Sequence, residues 1–340
     1  MKTSCGALAA SLLRNLFRDT TVLALASLMP FTAAKAEYVL TELTMPGATT
    51  VTLWDVNNGG MMVGSWTQGT GPANYSQGFI YDGTSFTTLS GPAGSMSSSA
   101  LGISDTGIVV GNFYSSATID PGTGEVIFGP SAGFIFSGGS YTSFIVAGAN
   151  DTFLRGISPD GRYLSGYYST NAGAGIGFVY DTLTATLANL SMPNSQMTIP
   201  QGINIAGIVV GSDILAGPPT TRPGFRYDIA TGTRTDLMLA GATRTALRSI
   251  DDSGVVAGWF IDGGSRHGFV GSISSYEQID FAGASDTSVE GSNNARWLVG
   301  EYLDATGIEH GFVAVPVPLP GSLPLVLAGL AACVGAVRRR

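Results

Sequence analysis

The chain has 340 residues, of which 48 are glycine, 44% are hydrophobic and only 12% are charged. Residues 37–320 carry 9 arginines, no lysine and 23 acidic residues, a net charge of −14 that argues against a nucleic-acid partner, because phosphate neutralisation needs a basic surface. The two cysteines, Cys5 and Cys333, lie near the ends, which excludes a disulfide framework or a thiolate metal site in the middle. Many glycines among β-branched and aromatic residues indicate short strands joined by tight turns.

Residues 1–36 have the pattern of a secretory signal peptide. The positive n-region contains Lys2, Arg14 and Arg18. The apolar run over residues 21–34 is too short to span a bilayer. Ala34 and Ala36 flank Lys35 in a small-x-small cleavage site, so we predict a mature chain that begins at Glu37. An uncleaved N-terminal anchor is the alternative.

One phrase recurs six times after this segment: an apolar residue, a polar turn, three mostly apolar residues and a closing glycine. The copies span residues 56–64, 103–111, 157–166, 203–211, 250–258 and 292–300. A second phrase, Gly-Phe, follows each copy and begins at Gly78, Gly133, Gly177, Gly224, Gly268 and Gly311. Two phrases that repeat in one order predict six like units, and four short antiparallel strands per unit match a propeller blade.

The second repeat illustrates the predicted strands. They are Ala100–Ser104, Ile108–Tyr114, Gly133–Phe136 and Ser140–Phe144. A tight hairpin turn joins the first two strands, with its glycine in the left-handed conformation. The glycines at this turn position are Gly60, Gly107, Gly161, Gly207 and Gly254. The sixth copy has Arg296 there, which predicts a looser turn.

The phase of the repeats predicts how the ring closes. The sequence from Tyr38 echoes the sequence from Tyr276, so the chain begins with the strand that normally ends a repeat. The last repeat stops one strand short, at Gly311–Ala314. The N-terminal strand can fill that gap and leave no open edge. We therefore predict an all-β fold, a six-bladed β-propeller over residues 37–314, with a β-solenoid or a pair of β-sandwiches as the alternative.

Two repeats contain a His-Gly-Phe sequence, at residues 267–269 and 310–312. Over Tyr38–Val313 the repeats resemble the extracellular HAF-type repeat family, although the other four copies lack the histidine. The resemblance implies a β-rich secreted domain and implies no particular activity.

Residues 315–340 form a tail with three parts. Residues 315–320 alternate valine or leucine with proline, which fixes an extended backbone. Residues 323–337 are apolar and uncharged, and we predict a transmembrane helix there, although about 20 residues make a full span. Arg338, Arg339 and Arg340 end the chain and should stay on the cytoplasmic side. A buried core helix with a basic cap is the alternative.

The tail resembles the PEP-CTERM family of sorting signals in its VPLP-type variant. The motif consists of Val317, Pro318, Leu319 and Pro320, followed by the apolar run and the arginine cluster. Leu319 stands where the commonest form has Glu, and Gly321 where the variant usually has Ala. The resemblance implies a Gram-negative-type envelope and an exosortase, a membrane protease-transpeptidase, as partner. It also implies an association with exopolysaccharide and biofilm matrix.

Few residues point to chemistry. His267 and His310 share one repeat position, which favours a structural role; Glu309 and Asp262 could complete a metal site with them. A Ser-His-Asp site would need one of these two histidines. Nucleotide, zinc-protease, EF-hand and serine-hydrolase motifs are all lacking, so the sequence predicts no catalytic residues, no bound metal and no cofactor.

Two further groups have both a structural and a functional interpretation. Asp251 and Asp252 occupy the hairpin-turn position, so turn capping is favoured over catalysis or calcium binding. The tryptophans lie beside the repeat glycines, which favours core packing over sugar-stacking platforms. They are Trp54, Trp66, Trp259 and Trp297.

These patterns together predict an exported cell-surface or matrix protein. We expect a non-catalytic propeller that binds polysaccharide or envelope proteins, anchored in the inner membrane by its tail and then processed. A propeller glycosidase or polysaccharide lyase, which needs two carboxylates about 5–10 Å apart, is one alternative. A calcium-stabilised adhesion module is the other.

Overall fold

The computed structural model describes residues 37–317 except 70–74, 172, 191–194 and 216–221. Every regular element in these ranges is a β-strand. The described residues include no helix long and apolar enough to cross a membrane. The predicted signal peptide and transmembrane helix lie outside the described residues. Residues Tyr38–Val317 form one domain.

The strands follow one another in sets of four. The chain begins with β1 (Tyr38–Leu43), and the first set, unit 1, comprises β2 (Thr50–Val56), β3 (Met62–Thr67), β4 (Gln77–Tyr81) and β5 (Phe86–Leu89). Unit 2 comprises β6 (Ser97–Ile103), β7 (Val109–Tyr114), β10 (Ser131–Ser137) and β11 (Ser140–Phe144), with the extra hairpin β8 (Ala117–Ile119) and β9 (Val126–Phe128) before β10. Unit 3 comprises β12 (Asp151–Ile157), β13 (Tyr163–Ser169), β14 (Gly175–Asp181) and β15 (Thr186–Asn189).

The second half of the chain repeats this order. Unit 4 comprises β16 (Ser195–Ile203), β17 (Ile208–Leu215), β18 (Gly224–Asp228) and β19 (Thr233–Leu237). Unit 5 comprises β20 (Arg244–Ile250), β21 (Val256–Asp262), β22 (Ser265–Ser272) and β23 (Ser275–Ile279). Unit 6 comprises β24 (Asp286–Ser292), β25 (Leu298–Leu303) and β26 (Glu309–Pro316), and β1 supplies its fourth strand.

The units meet in a ring. Within each unit the strands pair antiparallel in chain order, and a single parallel pair, Gly175 with Met197, joins units 3 and 4 into one sheet. The first strand of each unit contacts the first strand of the next, and β24 of unit 6 contacts β2 of unit 1. In the described residues the last unit therefore lies against the first, which neither a solenoid nor two separate sandwiches would produce.

The predicted closure is confirmed. Strand β1 pairs antiparallel with β26, from Tyr38 opposite Pro316 to Leu43 opposite Gly311. The N-terminal strand thus covers the edge that β26 would otherwise expose. The pairing reaches Val315 and Pro316, which the sequence analysis had grouped with the tail.

The two recurring phrases are two halves of one packing arrangement. The closing glycine of the first phrase lies directly opposite the phenylalanine of the second, as Gly111 lies opposite Phe134. All six of these phenylalanines are fully buried: Phe79, Phe134, Phe178, Phe225, Phe269 and Phe312. A Cβ at Gly111 would lie 1.9 Å from the carbonyl oxygen of Ser99 and 2.9 Å from the ring of Phe134. Glycine is therefore required by close approach, here of both backbone and ring.

The glycine of the second phrase serves the contact between units. A Cβ at Gly133 of unit 2 would meet Leu154 of unit 3 at 2.9 Å. The same holds at the closure, where a Cβ at Gly311 would lie 3.2 Å from Val51 of unit 1. The apolar clusters accordingly lie between neighbouring units, as where Val63 and Leu89 of unit 1 pack with residues of unit 2. The core of the protein is distributed around the ring.

One expectation about the turns is wrong. Arg296 adopts a positive φ of 63°, as the glycines do at this position in the other units, and its amide donates to the carbonyl of Asn293 at 2.9 Å. The sixth turn is therefore as tight as the others. Asn293 holds it by accepting from the amide of Trp297 at 3.0 Å, which offsets the strain of a left-handed arginine.

Replacing Gly111 with alanine tests the packing between the two phrases. We expect Gly111→Ala to lower the free energy of unfolding by about 1–3 kcal/mol, because the new methyl group overlaps both Ser99 and Phe134. Urea unfolding would measure the loss. The matched control is Gly122→Ala in the β8–β9 turn, where a Cβ would meet only the side chain of Asp120, at 3.3 Å, and stability should change little. Equal effects of the two substitutions would contradict this packing.

Candidate functional site

A β-bulge interrupts the first strand of every unit. The register of the first strand against the second shifts at this point, for instance between Leu53 and Asp55. The bulged residues are Trp54, Leu101, Arg155, Gln201, Arg248 and Glu290. All six line one cavity of about 60 Å³, which we call the channel. A bulge can re-aim a side chain, and here it brings one side chain from each unit to a common space.

The channel position varies in composition, unlike the two packing positions of the repeat. Five residue types occupy six equivalent places, whereas the closing glycine and the buried phenylalanine are the same in every unit. The residues that recur hold the ring together, as the packing shows. The residues that vary face the channel, so this surface is where the units acquire individual chemistry.

Buried turn residues secure the wall of the channel at one mouth. In each unit the second residue of the phrase accepts a hydrogen bond from an amide four or five residues on, as Asn57 accepts from Met61 at 2.9 Å. The residues concerned are Asn57, Ser104, Ser158, Asn204, Asp251 and Asn293. Where this residue is asparagine its Nδ2 also donates to the next unit, from Asn57 to the carbonyl of Ser104 at 3.0 Å. The asparagines thus join units as well as cap turns.

The third residue of each phrase forms a second link around the mouth, which we call the turn ring. Asn294 donates its amide to Asn58 Oδ1 at 2.9 Å, and Asn58 donates its own to Asp105 Oδ1 at 2.9 Å. On the other side Ile205 donates to Asp252, which donates to Asn294, at 3.1 and 3.0 Å. These hydrogen bonds form one continuous series from Ile205 through Asn294 to Asp105. The amide of Asp105 in turn donates to the carbonyl of Pro159 at 2.9 Å.

The turn ring is broken between units 3 and 4 for a chemical reason. The donor position in unit 3 is Pro159, which has no N–H, and the acceptor position in unit 4 is Ile205, whose side chain has no oxygen. Because both partners are missing together, no donor or acceptor is left unpaired by the break. The described residues of the mouth are therefore tied together around five of the six junctions.

Charged groups inside the channel are unevenly paired. Arg248 lies 3.2 Å from Glu290, which also accepts from the hydroxyl of Ser288. Arg155 Nε donates to Gln201 Oε1 at 3.1 Å, and its guanidinium lies 5.6 Å from the ring centre of Trp54. No carboxylate among the described residues forms an ion pair with Arg155. Burial, and then the charge of Arg248, lower the pKa of Arg155.

Asp55 adds a titratable group to the channel wall. Its two oxygens accept from the amides of Val56 at 2.9 Å and of Ile103 in the next unit at 3.0 Å. Burial, with a smaller contribution from the charge of Asp105, raises the pKa of Asp55 to about 7. Other units have glycine or serine at this place, so only unit 1 carries a carboxyl group there.

Charged side chains also surround Trp259 of β21, the strand that pairs with β20. The guanidinium groups of Arg244, Arg248 and Arg266 lie 4.7, 5.6 and 4.9 Å from its ring centre. Arg266 pairs with Glu301 at 3.3 Å. Burial, then the charges of Glu290 and Glu309, raise the pKa of Glu301 to about 8.

The two histidines have separate local partners. His267 Nδ1 lies 3.0 Å from Asp280, and His310 Nδ1 lies 3.1 Å from Glu42 of β1. The described residues contain no group of three or more potential metal ligands, and the carboxylates paired with the histidines are Asp280, Glu42 and Asp304 rather than Glu309 or Asp262. Glu309 instead accepts from Thr52. His310 also lies 3.2 Å from Asp304, so it links the closing strand to a turn.

Turn capping is confirmed for Asp251, whereas the side chain of Asp252 accepts from Ile205 and Asn294 of the neighbouring units. Asp251 accepts from the amides of Ser253 and Val255 at 2.9 and 2.8 Å, within its own turn. Asp252 belongs to the turn ring. Core packing is confirmed for three tryptophans: Trp66, Trp259 and Trp297. Trp54 differs, because it lines the channel and donates to Ser65 at 3.0 Å.

The residues assigned to export and sorting are almost all outside the described residues. Val317 is the last described residue and is partly buried. The others lie beyond the described ranges: Ala34, Ala36, Pro318, Leu319, Pro320, Arg338, Arg339 and Arg340.

Sequence reasoning missed the channel residues except Trp54, for which it favoured core packing over a sugar-stacking role. They lie two residues before the recurring phrase, where the six copies cease to resemble each other, so recurrence does not mark them. A usable signal was present. Charged and polar residues such as Arg155 and Arg248 interrupt apolar strands two residues before the phrase begins, at the same place in different repeats.

Comparison with solved structures identifies the fold. The putative TolB from Agrobacterium tumefaciens matches with a TM-score of 0.51 at 10% identity, over 84% of this chain and 99% of that chain. The fold is a β-propeller. At this identity the likeness shows the fold alone, and no protein-family model and no curated protein matches the chain.

Weaker matches extend over only part of larger proteins. TolB from Acinetobacter baumannii matches at 14% identity with a TM-score of 0.44, over 79% of this chain and 64% of that one. A prolyl endopeptidase matches at 11% identity with a TM-score of 0.48, over 82% of this chain and 44% of that one. The propeller chain thus spans less than two thirds of either protein.

The raised pKa of Asp55 predicts a pH dependence of stability. In the unfolded chain Asp55 ionises near pH 4 and in the propeller near pH 7, so its contribution to stability is full below pH 4 and is lost as the pH rises to 7. We expect the stability of Asp55→Asn relative to the unmodified protein to rise across this window, by about 1.4 kcal/mol per pH unit. Urea unfolding at pH 4.5, 5.5, 6.5, 7.5 and 8.5 measures it.

Asp120→Asn is the matched control for this measurement. Asp120 accepts from the amides of Gly122 and Thr123, which lower its pKa, so its ionisation changes little above pH 5. The difference from the unmodified protein should then be flat from pH 5.5 to 8.5. A flat profile for Asp55→Asn as well would show that Asp55 titrates normally.

Proposed function

We propose that this protein is an exported, non-catalytic six-bladed propeller of the bacterial cell surface or matrix, and that its channel mouth binds polysaccharide. Each four-stranded unit corresponds to one blade in this proposal. This proposal rests on the channel position, where the six blades contribute five different residue types at an equivalent place in the repeat. Recurrent residues account for the ring, which leaves the channel as the surface with individual chemistry.

The hydrogen bonds that the acidic groups already make within the protein support binding over catalysis. Carboxylates from several blades do gather at this mouth, as a glycosidase would require, but each has a structural partner. Both oxygens of Asp105 accept from Asn58, at 2.9 Å each, and Asp252 accepts from Ile205 and Asn294. A general acid or nucleophile must be free to meet substrate, and these groups are engaged in holding the turns.

The proposed location depends on the two ends of the chain. The signal-peptide pattern supports export, and the resemblance to VPLP-type sorting signals supports transient anchoring in the inner membrane and processing by an exosortase. The acidic charge over residues 37–320 suits a protein that is exposed to water at the cell surface or in the matrix. Envelope proteins are the alternative partners of the channel mouth.

A glycan-array screen of the purified protein, with hydrolysis products followed in parallel, tests the binding function. We expect retention on one class of polysaccharide without release of shortened or unsaturated products. Product formation would favour the glycosidase or lyase, and the absence of retention on any glycan would contradict polysaccharide binding. Thermal unfolding with and without chelator tests the calcium-stabilised alternative, which requires that the melting temperature fall when calcium is removed.

The sorting proposal predicts that Pro318 and Pro320 are needed for processing. In the native host, the double variant Pro318→Ala, Pro320→Ala should stay in the membrane fraction at its unprocessed mass, because the extended recognition segment is lost. Immunoblots of cell fractions against the propeller measure this. The control is Pro316→Ala, a proline just outside the motif, which should be processed normally. Normal processing of the double variant would refute the sorting role of the motif.

A further inference from the structure

The channel contains a cation without an ion-pair partner and a donor without an acceptor. Arg155 has no carboxylate partner among the described residues, and Gln201, which is only 6% exposed, has no partner for its Nε2. Both side chains line the same cavity. Leaving a buried donor unpaired is costly, as is enclosing a guanidinium without a counter-charge. Two such groups side by side indicate a place prepared for an acceptor from outside.

Two cations lie in the channel, although its lining, like the domain, carries more acidic than basic groups. Residues 37–320 have a net charge of −14, yet the channel holds both Arg155 and Arg248. Arg248 has Glu290 as its counter-charge at 3.2 Å, so Arg155, which bonds only to the neutral Gln201, is the channel arginine without a carboxylate partner among the described residues. The repulsion between the two arginines, which helps lower the pKa of Arg155, would be relieved by an anion.

The nature of the anion follows from its neighbours. Five acidic residues, Asp55, Asp105, Asp251, Asp252 and Glu290, line the same cavity, so a doubly charged anion would be repelled more strongly than a singly charged one. Guanidinium geometry suits a carboxylate, which can also accept from the amide of Gln201. A cavity of about 60 Å³ exceeds the roughly 10–15 Å³ that one water needs and has room for a carboxylate group.

We propose that the channel binds the carboxylate of an acidic sugar, held by Arg155 and Gln201. Arg155 supplies the charge and Gln201 Nε2 donates a hydrogen bond to the same carboxylate. The indole of Trp54, which lies beside Arg155, offers a face for the apolar side of the sugar ring. This inference deepens the proposed function and rests on it for the choice of a sugar as the carrier of the carboxylate.

Calorimetric titration with D-galacturonate at pH 6 tests the site, with D-galactose as the neutral probe. We expect the unmodified full-length protein to bind galacturonate and not galactose. Arg155→Gln and Gln201→Met should each weaken galacturonate binding about tenfold or more, since each removes a hydrogen bond to a charged group. The matched control is Arg162→Gln, an exposed arginine that pairs with Asp181 outside the channel and should leave binding unchanged.

Circular dichroism and melting temperature establish that each variant is folded, and Gln201→Met, which keeps the size of the side chain, tests the site if Arg155→Gln does not fold. Equal binding of both sugars, absence of galacturonate binding, or binding unaffected by either channel substitution would overturn the inference. Titration with trigalacturonate separates it from the proposed function. If the monomer binds and the trimer does not, the carboxylate site stands and polysaccharide binding at the channel fails.

Discussion

The pairing of β1 with β26 is the interaction on which the rest of the structure depends. It joins residues more than 260 positions apart and turns an open row of units into a ring. Side chains reinforce it, since Glu42 of β1 accepts from the hydroxyl of Tyr302 at 3.0 Å and lies beside His310. Without this strand unit 6 would expose an unpaired edge, and the contact of Gly311 with Val51 would lose its support.

Closure also determines what the channel can be. Because the first strands of all units meet around one space, a bulge at one repeat position delivers six side chains to it. The units can then share every packing residue and still differ where they face the channel. The hydrogen-bonded turns at the mouth hold this geometry, and their one gap, between Pro159 and Ile205, coincides with the two residues that lack a donor and an acceptor.

The recurring residues made much of the fold predictable from sequence. The closing glycines and the phenylalanines opposite them mark the strands, and the echo between Tyr38 and Tyr276 predicted the closure. The strands of the second repeat agree with the structure to within three residues. The tight turn at Arg296 was missed because its conformation depends on the cap from Asn293, which only the folded turn reveals. The channel was missed because a bulge is a property of strand register, and the spacing of one strand alone does not specify it.

Native-state hydrogen exchange of the protein tests closure most directly. If β1 is an integral part of the ring, the amides of Thr41 and Leu43, which lie opposite Val313 and Gly311 of β26, should open only with global unfolding and be protected to the same degree as those of β25. The same protection should persist when denaturant is added below the unfolding transition. Exchange of β1 through local opening, orders of magnitude faster than that of β25, would show that the ring is complete without its first strand and would contradict this account.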